Sequence, residues 1–260
     1  MSYTPSNEFL IEVAKGNIPG HSLIHKFGHN EAVGTTFAPV TQGGVYPTPQ
    51  VGSETTLRIK AGGNANDTAA GTGGREITLE GLDETGAFAT ATLATAGVLA
   101  SSATSITFLR LFRAFVSASG TYATATVGSH AADIVIEDSG GTEDWATINL
   151  NSFPAAQTEI GVFSVPLGFT AHMLSASVFS DSTKITELSF FQRQNILETA
   201  APFTAMRLVF DALLEGGNSP INPKSPIGPF PALTDIGFMA NVDVSTASVN
   251  VDIEILQVAD

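Results

Sequence analysis

A chain of 260 residues can bury a substantial core without covalent help, and its lack of cysteine excludes disulfides, thiol catalysis and cysteine-held metal. With 11 basic residues against 25 acidic ones the net charge is −14, which argues against partners gripped through nucleic-acid phosphates and against anionic membrane surfaces. Only 14% of residues are charged, where about 25% is usual, so either copies of the chain or a partner cover part of the exterior, or a Ser/Thr-coated β surface replaces charge.

The first residues, MSYTPSNEF, lack a basic segment followed by an apolar one, so no secretory leader is expected. Residues 7–15 (NEFLIEVAK) suit one or two turns of helix or an edge strand. Beyond them Gly16, Pro19, Gly20, Gly28, Gly34, Pro39, Gly43, Gly44, Pro47 and Pro49 interrupt every longer pattern. Residues 1–50 are therefore expected to be an extended N-terminal arm that lies on a neighbouring subunit or wraps its own domain, covering Phe9, Leu10, Ile11, Leu23, Ile24 and Phe27.

From residue 55 onward the chain alternates apolar and polar residues in short runs bounded by Gly, Asn and Asp, the pattern of half-buried strands joined by turns. Leu57 and Ile59, then Ile77 and Leu79, then residues 88–95 give the first three. Residues 105–117 (SITFLRLFRAFVS) are apolar on both faces, as in a central strand covered on each side or one at a subunit contact. They are too short to span a bilayer and carry Arg110 and Arg113. Strands are expected again at 122–127, 132–137 and 145–150, with a turn at Asp138-Ser139-Gly140-Gly141. Further strands follow at 160–165, 170–180, 184–194, 204–214, 235–241 and 247–258. The last of these sets Val249, Val251, Ile253 and Ile255 against Asn250, Asp252 and Glu254.

Between them, residues 215–233 hold five prolines and three glycines, which excludes a central strand and predicts a surface loop or second contact arm. The fold class is therefore all-β: one or more jelly-roll-like antiparallel β-sandwiches with an extended N-terminal arm. The expected divisions are 1–50 for the arm, 51–151 for one half and 152–260 for the other, possibly one continuous domain. The strands outnumber the eight of a single jelly roll, so the chain forms either two stacked sandwiches or one jelly roll with additional strands.

Four groups of residues invite a chemical reading. His21, His25 and His29 recur every fourth residue, but Gly20 and Gly28 oppose a continuous helix, and extended positions four apart lie about 13 Å from neighbour to neighbour. The glycine-rich loop 62–74 lacks the lysine and following helix of a phosphate loop, and Asp67 alone is too little for calcium. The acid pairs Glu137/Asp138 and Glu143/Asp144 sit in turn sequence, and no nucleophile motif accompanies a histidine and an acid. Trp145 and Tyr122 fit core positions better than a sugar platform. No catalytic, cofactor-binding or metal residue is assigned, and the chain is not expected to be an enzyme.

Five stretches carry a family resemblance: GNIPGHSLIHKFGHN (16–30), LRIKAGGNANDTAAGTGGREITLEGLDETG (57–86), FLRLFRAFVSASGTY (108–122), FFQRQNI (190–196) and VNVDIEILQVAD (249–260). Together they resemble mostly uncharacterised structural proteins of tailed phages that infect marine and freshwater bacteria. The resemblance implies a virion protein, assembled in the host cytoplasm, that acts as capsid decoration (cement) or in the tail. The partners implied are copies of itself in a closed oligomer such as a homotrimer, and a major capsid or tail protein. A glycan-recognising, receptor-binding tail module is the alternative. Deleting residues 1–50 is expected to leave a folded sandwich that no longer assembles.

Overall fold

The computed structural model describes residues 7–42, 54–121, 129–150, 156–181, 185–198 and 200–260. The protein is all-β, 55% strand and 3% helix, and its sheets are antiparallel. In chain order a helix, α1 (Asn7–Ala14), precedes β1 (His21–Val33), β2 (Ala38–Pro39), β3 (Leu57–Ile59), β4 (Gly74–Leu82), β5 (Phe88–Ala94), β6 (Arg110–Ser119), β7 (Ile134–Asp138) and β8 (Asp144–Ile148). Then come β9 (Val162–Ser164), β10 (Phe169–Ser180), β11 (Thr186–Gln194), β12 (Arg207–Leu214), β13 (Gly217–Ile221), β14 (Ile227–Phe230), β15 (Thr234–Val242) and β16 (Ala247–Ala259). The strand expected at 122–127 lies outside the described residues.

Four sheets result, disposed as a four-blade, propeller-like ring. One has the order β1-β16-β10-β13 with β14 also on β10, and a second the order β12-β11-β15-β2 with β9 also on β15. The other two are three-stranded, β3-β7-β8 and β5-β4-β6. The strands therefore divide by position in the chain: β3 to β8 make the two small sheets, and everything before and after them makes the two large ones.

Each pair of sheets has its own core. In β16, Val249, Val251, Ile253 and Ile255 are buried while Asp252 and Glu254 are exposed, the alternation expected from the sequence. That apolar row joins Met173 and Val178 of β10 in a cluster with Leu188 and Phe190 of β11 and Ile236 and Phe238 of β15. Phe190 stacks on Phe210 at 5.2 Å and meets Phe238 at 5.0 Å and Phe230 at 6.0 Å, so the aromatic group bridges the two large sheets. The second cluster joins Leu57, Ile59, Ile134, Ile136 and Ile148 to Ile77, Leu79, Leu111 and Ala114, and takes in Ile160, Val162 and Phe191 from the large sheets.

Strand β6 contributes to both clusters, Leu111 and Ala114 to the second and Phe112 to the first. Its sequence is apolar on both faces for that reason, although it is an edge strand of its own sheet.

The expected N-terminal arm is corrected. Residues 7–14 are helical, ended by Gly16 at φ 74°, and residues 21–33 form a strand paired with β16 from His21↔Val258 to Val33↔Ala247. The strand lacks an apolar alternation because its inward positions include Lys26 and Gly28. A Cβ on Gly28 would lie 2.2 Å from Val40 O and 2.3 Å from Gly161 N, so glycine here permits close approach of three backbones rather than marking a break. The proline-rich stretch is likewise more regular than a loop: β13 and β14 both pair with β10, at a sheet edge where Pro220 and Pro229 interrupt no central ladder.

Candidate functional site

The three histidines lie on β1 with separate partners. His21 Nδ1 is 3.0 Å from Pro19 O, His25 Nε2 is 3.6 Å from Asp252, and His29 bridges Glu159 Oε2 at 3.2 Å and Ser248 Oγ at 2.9 Å. The hydrogen bond to Glu159 raises the His29 pKa against the opposing effect of burial. Among the described residues no group of three or more His, Asp or Glu side chains could hold a metal ion.

The loop 62–74 is built around a buried acid. Asp67 accepts N–H bonds from Gly74 at 2.8 Å and from Ala131 and Ala132 at 2.9 to 3.1 Å, so one carboxylate pins this loop to the segment before β7. Cβ atoms on Gly71 and Gly73 would stand 2.1 Å from Asn66 O and Asp67 Oδ1, which accounts for the glycines by crowding.

Three of the four paired acids have partners for their carboxylates, and Glu137 is a buried residue of β7, not the turn residue expected. Glu137 takes Arg58 Nε at 2.7 Å, Asp144 takes Lys60 Nζ at 2.7 Å, and Asp138 accepts the Thr142 and Glu143 amides at 2.7 and 2.5 Å to close the turn. Trp145 is buried; Tyr122 lies outside the described residues.

Two features that sequence reasoning missed lie where the small sheets meet the large ones. Arg110 of β6 forks onto Asp235 of β15, Nε to Oδ1 at 3.2 Å and Nη2 to Oδ2 at 3.0 Å, while Ser164 Oγ donates to Oδ1 at 2.5 Å. Both charged side chains are essentially inaccessible to water.

The other feature is a cleft of about 470 Å³ between β1 and the β5-β4-β6 sheet, walled by Leu23, Ile24, Phe88, Phe112, Phe163 and Phe169. Lys26 reaches into this wall from β1 and donates to Phe112 O at 2.6 Å. Burial pushes its pKa down to about 7; the positive charge of Arg113 acts in the same direction and Glu80 opposes both. Arg113 and Glu80 pair with each other at 2.9 Å. A lysine within a run read as an irregular arm gave no sequence signal of such a place.

The exterior carries large apolar side chains at projecting positions: Val98 and Leu99 in the turn after β5, and Leu208 and Leu213 on the edge strand β12. Such an exposed apolar edge is an invitation to association.

No family model and no curated protein matches the chain, so the phage resemblance has no such match beside it. Among solved structures, one of infectious bursal disease virus, Gt strain, is similar at a TM-score of 0.21 and 9% identity, covering 96% of this chain and 78% of that one. The VP2 subviral particle of the same virus gives 0.20 and 9%, with 92% and 77% covered. An isomalto-dextranase of Arthrobacter globiformis T6 complexed with panose gives 0.19 and 10%, with 91% and 35% covered. Likenesses at this level carry no argument about fold or activity.

Proposed function

We propose that the chain is a virion structural subunit, built on a jelly roll with a second β unit inserted in it. The observation that carries this reading is strand order. Counting β2 with β9 as one strand, since both pair with β15, and β13 with β14 as another, since both pair with β10, leaves eight strands. In chain order they are β1, β2/β9, β10, β11, β12, β13/β14, β15 and β16, and the two large sheets then read 1-8-3-6 and 5-4-7-2. That is the connectivity a pair of Greek keys gives when rolled into a jelly roll, an architecture used by viral capsid and lectin domains. The bridge Thr41↔Ile160 places the two ends of the β3 to β8 segment side by side, as an insertion within the second strand requires.

Charge and exposure favour the capsid use over others. An acidic chain is ill suited to face a genome's phosphates, which favours a position on the outer side of a particle. Apolar side chains at Val98, Leu99, Leu208 and Leu213 supply contacts that symmetry multiplies. The partners of this reading are further copies in a closed oligomer and a major capsid or tail protein, with no catalysis and no cofactor. Whether it serves as phage capsid cement or in a tail is read from copy number: hundreds per particle on stained gels for cement, a few to some dozens for a tail part. Locating the density of the chain in a particle reconstruction tests the whole reading, and absence from purified particles would overturn it.

Because jelly rolls also serve as lectins, a receptor-binding tail module is the second reading. It predicts glycan-array binding that disappears when an exposed aromatic such as Phe88 or Phe179 is replaced by alanine.

A further inference from the structure

We propose that the cleft between β1 and the β5-β4-β6 sheet is a binding site for a small amphipathic carboxylate of the fatty-acid class, with its head group on Lys26 and its chain along Ile24, Phe112, Phe163 and Phe169. A volume of about 470 Å³ lies within the range of small-molecule sites. About half of the lining residues are apolar, five of them phenylalanines, and the remainder are polar or charged groups able to fix a ligand's orientation.

The lysine determines the ligand's charge. Lys26 occupies a core-facing position, is 8% exposed, and has one hydrogen-bond acceptor among the described residues, the carbonyl of Phe112. An ammonium has three N–H donors, so two remain for a guest. Burying a cation beside a single neutral carbonyl is costly, and an anion supplies both the missing acceptors and the missing charge.

Of the other titratable groups at the cleft, Arg113 and Glu80 pair with each other and His25 faces Asp252, which leaves Lys26 the one cation there with no carboxylate in hydrogen-bond contact among the described residues. One such cation suits a monoanion better than a phosphate dianion.

Isothermal titration of the full chain with sodium decanoate tests the assignment, with 1-decanol as the uncharged control. Saturable binding of decanoate at one site per chain is expected, at least about tenfold tighter than decanol and weakened at least about tenfold by Lys26→Met, the loss of one charge-assisted contact. A second variant, Leu23→Trp, fills the mouth from a half-exposed position and should abolish binding while leaving the thermal melt intact. No binding of decanoate, equal binding of the acid and the alcohol, or binding retained in either folded variant would overturn the proposal. None of these outcomes depends on whether the chain belongs to a particle.

Discussion

Arg110 and Asp235 stand 125 residues apart in sequence and meet in the interior as a bidentate pair, 1% and 0% exposed. A pair so placed contributes little relative to apolar side chains of the same shape, but removing one member strands a charge, at a cost of about 3–5 kcal/mol. Arg110→Met and Asp235→Leu should each lower stability in urea unfolding by about that amount. The double variant should recover most of the loss; additive losses would mean that the two groups act independently.

Lys26 predicts a pH dependence. The folded chain releases the lysine proton at about 7 and the unfolded chain at its ordinary value of 10.5, so between these values the unfolded state binds more protons and stability rises with pH. Below about 7 both states are charged and the burial penalty is fully present. Lys26→Met should therefore raise the melting temperature most near pH 6, with the gain shrinking toward about pH 9; a gain that does not change with pH would show that Lys26 holds its proton in the fold. Asp67 could be named from sequence as a lone acid in a glycine-rich loop, but its partners Ala131 and Ala132 come from a segment more than 60 residues away. No local pattern records such a meeting.

At the level of elements, β1 and β6 show how pattern and packing divide the information. Both faces of β6 are apolar because Leu111 and Phe112 serve different cores, and that much was written in its residues. Strand β1 was concealed because its inward side is Ile24, Lys26 and Gly28, not an apolar alternation, and because its partner lies at the other end of the chain. Removing residues 1–50 should therefore abolish the cooperative thermal transition, by leaving β16 without its neighbour. Removing only residues 1–18, α1 included, should leave the transition in place. Gly28→Ala should destabilise by about 3 kcal/mol or more, measured by urea unfolding, since the methyl would collide with Val40 O and Gly161 N, which are backbone atoms with no freedom to move aside.

For the molecule as a whole, the insertion reading has its own test. The amide of Gln42 donates to Glu159 O at 3.1 Å, so the chain leaves the large sheets and rejoins them at one point. Replacing residues 43–157 by a short turn, with Asp235→Leu so that the loss of Arg110 leaves no unpaired carboxylate inside, should give a β-rich chain that still melts cooperatively, less stable for the exposure of Ile160, Val162 and Phe191. A product without a melting transition would make the four sheets a single inseparable unit.

By itself the sequence determined that the chain is all-β, where most of its strands run, that a turn follows Asp138, and that 215–233 stays out of any sheet centre. These follow from period-two burial and from backbone restrictions that act within a few residues. Only the tertiary structure decided that β1 belongs to the core sheets, that β3 to β8 interrupt a pair of sheets closed from both ends of the chain, and that Lys26 meets a cleft. Those outcomes depend on hydrogen bonding and burial between residues 80 to more than 200 positions apart, where no short-range pattern constrains the partner.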